Sequence, residues 1–581
     1  MTLTTDRILD KLIFLYGQER GAACYTRLLN LLDSFRSSHP HFLQQLTAPD
    51  QRVTERDVIL ITYGDSLWEP DTPSLRTLHT FLRKHLAGII STVHVLPFFP
   101  YSSDDGFSVI DYLSVNPSLG NWDDIDRLNP DFKLMFDAVI NHVSAHSAWF
   151  ERYIRGDPAF QDFFITVDPA TDLSAVVRPR ALPLLTPVET SRGVQRVWTT
   201  FSSDQIDLNF ANPDVLLRIV EVLLFYVEHG ASLIRLDAIA YLWKKPGTSC
   251  IHLKETHTVV QLFRDILDCV APAVALISET NVPHAENVSY FGDGANEAQL
   301  VYQFTLPPLL LHTFATEDAT ALSRWAAGLE NVSASTAFFN FTASHDGIGV
   351  RPVEGILSRQ EIDALVQRAR AHGGDVSFKT NGDGTRSPYE LNVNYFDALS
   401  DPAGSESLEV QASRFLASQA IQLAFMGVPG IYIHSLLGSR NWEDGVAQTG
   451  RLRSINREKL RLSEVEAALD DPRSLRSLVF HAYCALISKR TAEKAFHPSA
   501  PQQVLELHPA AFSLLRSEPD GSKHIVAIHN VSHRGIAIDL AQVPLAHVPR
   551  YRDLVSGATI EAKASLAVQP YQVLWLKAQD G

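Results

Sequence analysis

Short apolar runs recur along the chain at spacings that leave room for a helix between them. Eight read as strands: "VILITYGD" (58–65), "IISTVHVLPFF" (89–99), "LMFDAVINH" (134–142), "SLIRLDA" (232–238), "AVALISET" (273–280), "LVYQF" (300–304), "FFNFTASHD" (338–346) and "GVPGIYIHS" (427–435). Between the third and fourth, "PDVLLRIVEVLLFYVEHG" places Leu216, Ile219, Val220, Leu223, Leu224 and Val227 at helical spacing and ends on Gly230 as a C-cap. Parallel strands buried on both faces read as near-continuous apolar runs, so the pattern predicts an α/β fold, a (β/α)8 TIM barrel. Two connections are too long for turns, at about 145–205 (rich in Pro, Thr and Asp) and 353–405, and each is expected to form a lid or small subdomain. After residue 500 the pattern shifts to short alternating strands such as "FSLLRS", "HIVAIHNV" and "YQVLWLKA". The expected division is a catalytic barrel over 1–500 and a C-terminal all-β sandwich over 501–581.

The fourth run carries charge in its middle. Side chains alternate along a strand, so Arg235 and Asp237 share one side while Ile234 and Leu236 face the other. Buried charge is costly unless paired or used, so the pair is a structural salt bridge or part of a site. Other strands end the same way: the third in Asp137, Asn141 and His142, the fifth in Glu279, the seventh in His345 and Asp346. Functional residues of a (β/α)8 barrel gather at the C-terminal ends of its strands, and acidic groups on several strands with Arg and His beside them point to a site.

Bulk properties narrow the chemistry. The 581 residues are 45% hydrophobic and 20% charged, as in an ordinary globular protein. The formal net charge is −16, from 66 acidic and 50 basic residues, with no long basic run to meet a phosphate backbone, so nucleic acid is not an expected partner. Cys24, Cys250, Cys269 and Cys484 are scattered without metal-binding spacing and fit free thiols in a reducing compartment. The N-terminus has acidic residues early and no long apolar core, so a secretory signal is not expected and the location is read as cytoplasmic. No stretch approaches the ~20 apolar residues of a membrane helix.

Carboxylates at the strand ends suggest glycosyl transfer. A retaining glycosidase sets a carboxylate nucleophile about 5 Å from a protonated carboxylic acid; the first attacks the anomeric carbon and the second protonates the leaving oxygen. Asp237 and Glu279, on adjacent strands, are the candidates. Arg235 is expected to keep Asp237 ionised, the apolar neighbours of Glu279 to keep it protonated, and Asp346 to hold sugar hydroxyls.

The ordered motifs "DAVINH" (137–142), "IRLDAIAY" (234–241), "LISET" (276–280) and "TASHD" (342–346) resemble the α-amylase family, glycoside hydrolase family 13. The resemblance implies Asp237 as nucleophile, Glu279 as acid/base and Asp346 as transition-state stabiliser, with His142, Arg235, Tyr241 and His345 around the sugar. "PFFPYSSDDGFSVIDY" (97–112) and "TGRLRSINREK" (449–459) are similar to the sucrose phosphorylase branch. They imply Asp105 and Arg453 as glucose ligands and Phe107 as its platform. Arg180 in "VVRPRALPLL", with Arg178 beside it, stands where that branch holds phosphate with arginine, which suits bidentate binding of the anion. Asn141 and nearby aspartates are similar to the calcium position of amylases, but the branch generally lacks that metal. No metal is expected, and no cofactor beyond inorganic phosphate as co-substrate.

The acceptor loop departs from typical sucrose phosphorylases. It reads "GTRSPYELN" (384–392) where they have a "DLYQVN" pattern, and Thr280-Asn281 follow Glu279 where they have Val-His. These features resemble the glucosylglycerate and sucrose-6-phosphate phosphorylases of the branch. Asn281, Arg386, Tyr389 and Glu390, with Lys379 nearby, are the expected acceptor-side residues. A retaining α-glucoside phosphorylase acting on 2-O-α-glucosylglycerate is therefore expected, as a monomer or homodimer with small-molecule partners. Fructose 6-phosphate, fructose and glycerol stay open as acceptors. So do a hydrolase or transglucosidase on the same scaffold and a silent relative serving as a binding protein, although all three carboxylates are present.

Overall fold

The computed structural model describes residues 2–44, 52–179, 182–380, 385–545, 548–562 and 565–579. Its centre is a closed barrel of eight parallel strands: β1 (Ile59–Thr62), β2 (Thr92–Val95), β3 (Lys133–Ala138), β4 (Ala231–Leu236), β5 (Ala275–Ser278), β6 (Leu300–Tyr302), β7 (Ala337–Phe341) and β8 (Val428–Tyr432). Each falls within one of the eight apolar runs or overlaps it. The spatial order follows the chain order, β8 closing on β1 with Ile59 opposite Gly430. Gly430 is required there, because a Cβ would lie 2.2 Å from the Phe339 ring.

The helix read between the third and fourth runs spans Pro213–Glu228 and buries all six apolar residues named for it. Asn212 caps its N-terminus, accepting from Asp214 N, and Gly230 follows its end at φ +87°. Ahead of the barrel, helices Thr2–Tyr16 and Gln18–Ser38 form an antiparallel pair against the outer helices, and their Ile8, Leu12, Leu28 and Leu32 join the main core.

Both long insertions are more regular than their composition predicts. The first contains helix Ala148–Ile154, the hairpin Leu185–Thr190/Gly193–Trp198, and Gln205–Asp207 paired antiparallel with His142–Ser144. The second contains helix Arg359–Ala371 and a sheet of Ile348–Gly349, Arg386–Asn392 and Asp375–Thr380. Sequence reading missed the first hairpin because its short strands mix apolar and polar residues without strict alternation and lie largely outside the core, which hides the period-2 signal.

From Gln502 onward the chain forms a six-stranded antiparallel sheet and a two-stranded sheet (536–538 with 566–568). Alternation divides the larger sheet cleanly. Phe512, Leu514, Ile525, Ala527 and Trp575 face the barrel core, while Leu515, Val526, Ile528, Leu574 and Leu576 pack with Ile538 and Val568 of the smaller sheet. The four cysteines are buried and unpaired. Among the described residues no helix is long and apolar enough to cross a membrane.

Candidate active site

Strand register builds the centre of the site. Asp137 of β3 lies directly beside Arg235 of β4, and Leu236 beside Ser278 of β5, so Asp237 and Glu279 follow at one level just beyond the last paired residues. Arg235, 1% exposed, donates to both Asp137 and Asp237, the latter at 2.7 Å, and its other nitrogen stands 3.8 Å from Glu279 Oε2. Asp137 is held from its other side by His94, whose Nε2 donates at 2.6 Å. After Asp237 the chain turns left-handed at Ala238 (φ 48°), and the Ala238 N–H donates to Glu279 Oε2 at 2.9 Å. Arg235 and Asp237 thus share a side, and their pairing is at once a salt bridge and the frame of the site.

Burial raises every carboxylate of the site, and the neighbouring charges separate them by protonation. Glu279 is pushed up to about 7, chiefly by burial, with Asp237 and Asp346 adding to it and Arg235 opposing. Asp237 also rises above the ordinary aspartate value, because burial outweighs the pull of Arg235. This corrects the expectation that Arg235 by itself fixes that charge: the guanidinium is shared with Asp137, which falls to about 2 as Arg235 and His94 overcome its burial. Asp346 lies well below the usual range; burial would raise it, but Arg453, His345 and Arg457 surround it.

A pocket opens above these groups, lined in part by Phe107, His142, Asp237, Glu279, His345, Asp346 and Arg453. On its sugar side Phe107 stacks flat on His345, centroids 4.7 Å apart and planes 4° apart. His142 Nε2 donates to Phe107 O at 2.8 Å and its Nδ1 accepts from Asn141, which fixes the ring. Burial lowers His345 to about 3 and moves His142 in the same direction, so both are neutral imidazoles. Asp105, in a left-handed turn (φ 50°), is bonded by Arg457, whose Nε donates to His345 O at 2.8 Å. Its neighbour Asp104 is the one that reaches the pocket wall. Arg457 was not singled out in the sequence; spacing within "TGRLRSINREK" does not say which arginine of a 3-10 turn faces inward. Here Arg453 pairs with Asp346 and Glu390, and Arg457 holds Asp105.

The acceptor side is built from the insertions. Pro179, Phe201 and Gln205 come from the first, Tyr389 and Glu390 from the second, and Asn281 follows the acid on β5. In the second hairpin Ser377 pairs with Glu390 but Phe378 with Pro388, so Tyr389 is a bulged extra residue. The bulge lets consecutive side chains, Tyr389 and Glu390, both reach the pocket, which strict alternation forbids. Asn281 packs against Gly349, where a Cβ would approach its side-chain nitrogen to 2.7 Å.

Some expected residues lie elsewhere. Arg386 is exposed, sits 5.1 Å from the Phe378 ring centroid and lines a recess with Glu354, Arg359 and Asp363. Lys379 pairs with Glu354 at 3.5 Å. Tyr241 sits behind the pocket wall, its ring 5.5 Å from that of Phe201. Arg178 is exposed, and Arg180 lies outside the described residues.

Comparison with known proteins follows from this geometry. A family described as "Alpha amylase, catalytic domain" matches residues 85–347. The glucosylglycerate phosphorylase of Spirochaeta thermophila is 48% identical over 582 residues, covering 98% of each chain. That of Escherichia coli is 45% identical, covering 98% of this chain and 100% of its own. The chain belongs to the α-amylase family. Among solved structures, sucrose 6F-phosphate phosphorylase from Thermoanaerobacter thermosaccharolyticum superposes with a TM-score of 0.71 at 26% identity, over 82% of this chain and 94% of that one.

In this α-amylase family member the neighbourhood of Asn141 does not fit a metal ion. The Lys244 ammonium stands 2.6 Å from both Asn141 Oδ1 and Asp207 Oδ2, and Thr200 supplies two further donors to Asp207. A cation of the chain itself fills the position, lowered in pKa by its burial while Asp207 opposes the shift. Among the described residues no group of three or more His, Cys, Asp or Glu is arranged to hold a metal.

Proposed function

We propose that the protein is a retaining α-glucoside phosphorylase that cleaves 2-O-α-glucosylglycerate with inorganic phosphate to give α-glucose 1-phosphate and glycerate. Asp237 attacks the anomeric carbon while Glu279 passes its proton to the departing glycerate oxygen. Phosphate then displaces Asp237 from the glucosyl enzyme, with Glu279 as the base, and two inversions retain the α configuration. The carrying observation is Glu279, held protonated at about 7 one strand from Asp237 and bridged to it by Arg235. Whole-length identity of 45–48% to glucosylglycerate phosphorylases supports the acceptor. The structural likeness to a sucrose 6F-phosphate phosphorylase favours fructose 6-phosphate as the second candidate.

Arg180 is taken as the phosphate ligand, since its neighbour Pro179 lines the pocket. Phosphate is the sole co-substrate and no other cofactor takes part. The working division remains a catalytic unit over 1–500 and a sandwich over 501–581, in the cytoplasm.

The test is phosphate release from α-glucose 1-phosphate with D-glycerate, glycerol, fructose or fructose 6-phosphate, against a blank without acceptor. Release that requires glycerate is expected. Release that is equal with and without every acceptor points to a hydrolase or to an acceptor outside the panel, no release at all returns the protein to a binding role, and release that requires another acceptor renames the leaving group.

A further inference from the structure

Asp346, Arg453 and Glu390 form a row of alternating charge, with Glu390 buried and the other two partly open to the pocket. Arg453 donates to Glu390 through two parallel bonds, Nε to Oε2 and Nη2 to Oε1, both 3.0 Å. Its third nitrogen, Nη1, lies 2.6 Å from Asp346 Oδ1, yet that oxygen is buried and without an aligned hydrogen bond. The guanidinium therefore gives its directional bonds to Glu390 and only its charge to Asp346.

Glu390 lines the pocket on the side where it was expected, yet its carboxylate is engaged from within the chain. It is 2% exposed and both its oxygens are engaged by Arg453. Its stem closes on Gly347, immediately after Asp346, where a Cβ would come within 2.6 Å of Glu390 Cγ. The contact ties the acceptor hairpin to the turn that carries Asp346.

We propose that Glu390 is a positioning residue for glucosyl transfer: by taking the aligned donors of Arg453 it fixes the guanidinium beside Asp346, 2.6 Å from Oδ1, so that the carboxylate stays negative while Oδ1 keeps its lone pairs for the sugar. This rests on the reading that Asp346 faces the glucosyl ring. An oxocarbenium-like transition state gains from a nearby negative charge and from hydroxyl bonds that tighten as it forms. Without Glu390, Arg453 would be free to turn aligned donors on Asp346 Oδ1 and occupy the oxygen that the sugar needs. Glutamine keeps the shape of Glu390 but cannot accept both bonds of the guanidinium or balance its charge.

The test is Glu390→Gln, assayed with α-glucosyl fluoride, whose departure needs neither phosphate nor acceptor, and in synthesis from α-glucose 1-phosphate and glycerate. The expected result is a fall in kcat on the fluoride of about tenfold or more, with KM for glycerate and phosphate within about twofold of the parent. In an Arg453→Gln background the same change should cause no further fall, because Glu390 acts through Arg453. An unchanged kcat with a raised acceptor KM would make Glu390 an acceptor ligand and overturn the proposal. So would a full additional loss in the Arg453→Gln background. Glu390→Asp, which keeps the charge but shortens its reach, carries the same kinetic test should the amide weaken the fold. A parent enzyme that consumes the fluoride but cannot use phosphate defeats the phosphorylase reading and leaves this one standing.

Discussion

The two walls of the pocket are built by different means. On the sugar side, Arg235, Asp237, His345 and Arg457 are buried on strand ends or bonded to them, and parallel register sets their heights. On the acceptor side the wall comes from two insertions, is partly exposed, and depends on a single bulge at Tyr389. The sugar wall has little freedom to change without unpairing a buried charge. The acceptor wall can be rebuilt by loop variation while the chemistry below stays fixed. Substitutions should therefore divide sharply: large losses in kcat from the first wall, small and acceptor-specific effects from the second.

The largest effect should come from Asp237→Ala. Removing the nucleophile is expected to lower kcat by about 10⁴-fold or more with α-glucose 1-phosphate as donor. Activity near the parent's would place the nucleophile elsewhere and dissolve the distinction between the walls.

Glu279 comes next and adds a pH signature. General acid catalysis contributes about 10²–10⁴-fold, so Glu279→Gln should lose that much on glucosylglycerate and far less on α-glucosyl fluoride, which needs no proton. Because the acid form is lost as pH rises through about 7, phosphorolysis in the parent should decline above that pH. Stability has the matching sign. A raised pKa means that the folded state binds the proton more tightly than the unfolded one, whose ordinary value is 4.5. That contribution is complete below 4.5 and lost as pH rises through about 7. Glu279→Gln should thus melt higher than the parent at pH 8, by up to about 3 kcal/mol in stability, and close to it at pH 4. Equal melting differences at both pH values would show that burial does not hold the proton there.

Arg457→Lys sharpens the comparison within the sugar wall. Lysine keeps the charge but cannot bond Asp105 and the His345 carbonyl together as the guanidinium does. A charge-assisted hydrogen bond is worth about 1.5–3 kcal/mol, so kcat/KM for the glucosyl donor should fall by roughly 10–100-fold, whatever the acceptor. A loss confined to one acceptor would move Arg457 to the other wall.

The same contrast explains what could be read from the sequence. The eight strands were legible because burial on both faces leaves an uninterrupted apolar run, and Asp237, Glu279 and Asp346 because a charge at the end of such a run needs a reason. Arg457 was not, since the choice between it and Arg453 is made by a 3-10 turn and by partners more than 60 residues distant in sequence. Glu390 was identified, but its pairing with Arg453 was not legible, because it joins two loops that local patterns do not connect. His94 and Lys244 gave no signal at all: each is one polar residue whose meaning lies in a contact with Asp137 or Asp207.

The smallest effect is expected at Arg386, and it is the most informative about the acceptor wall. From the sequence it looks like the natural partner of a glycerate carboxylate, a cation in the acceptor loop. In the structure it is exposed and stands 5.1 Å from the Phe378 ring centroid, absent from the pocket lining, while the bulge brings Tyr389 into it. An exposed charge outside the pocket contributes about 0–1 kcal/mol to its surroundings, so Arg386→Ala should leave KM for glycerate within about twofold of the parent. Tyr389→Ala, a truncation on the wall itself, should raise that KM by a larger factor while sparing kcat on α-glucosyl fluoride. If Arg386→Ala instead raises the glycerate KM tenfold, the hairpin must reorganise when the acceptor binds, and the bulge would be the hinge of that movement.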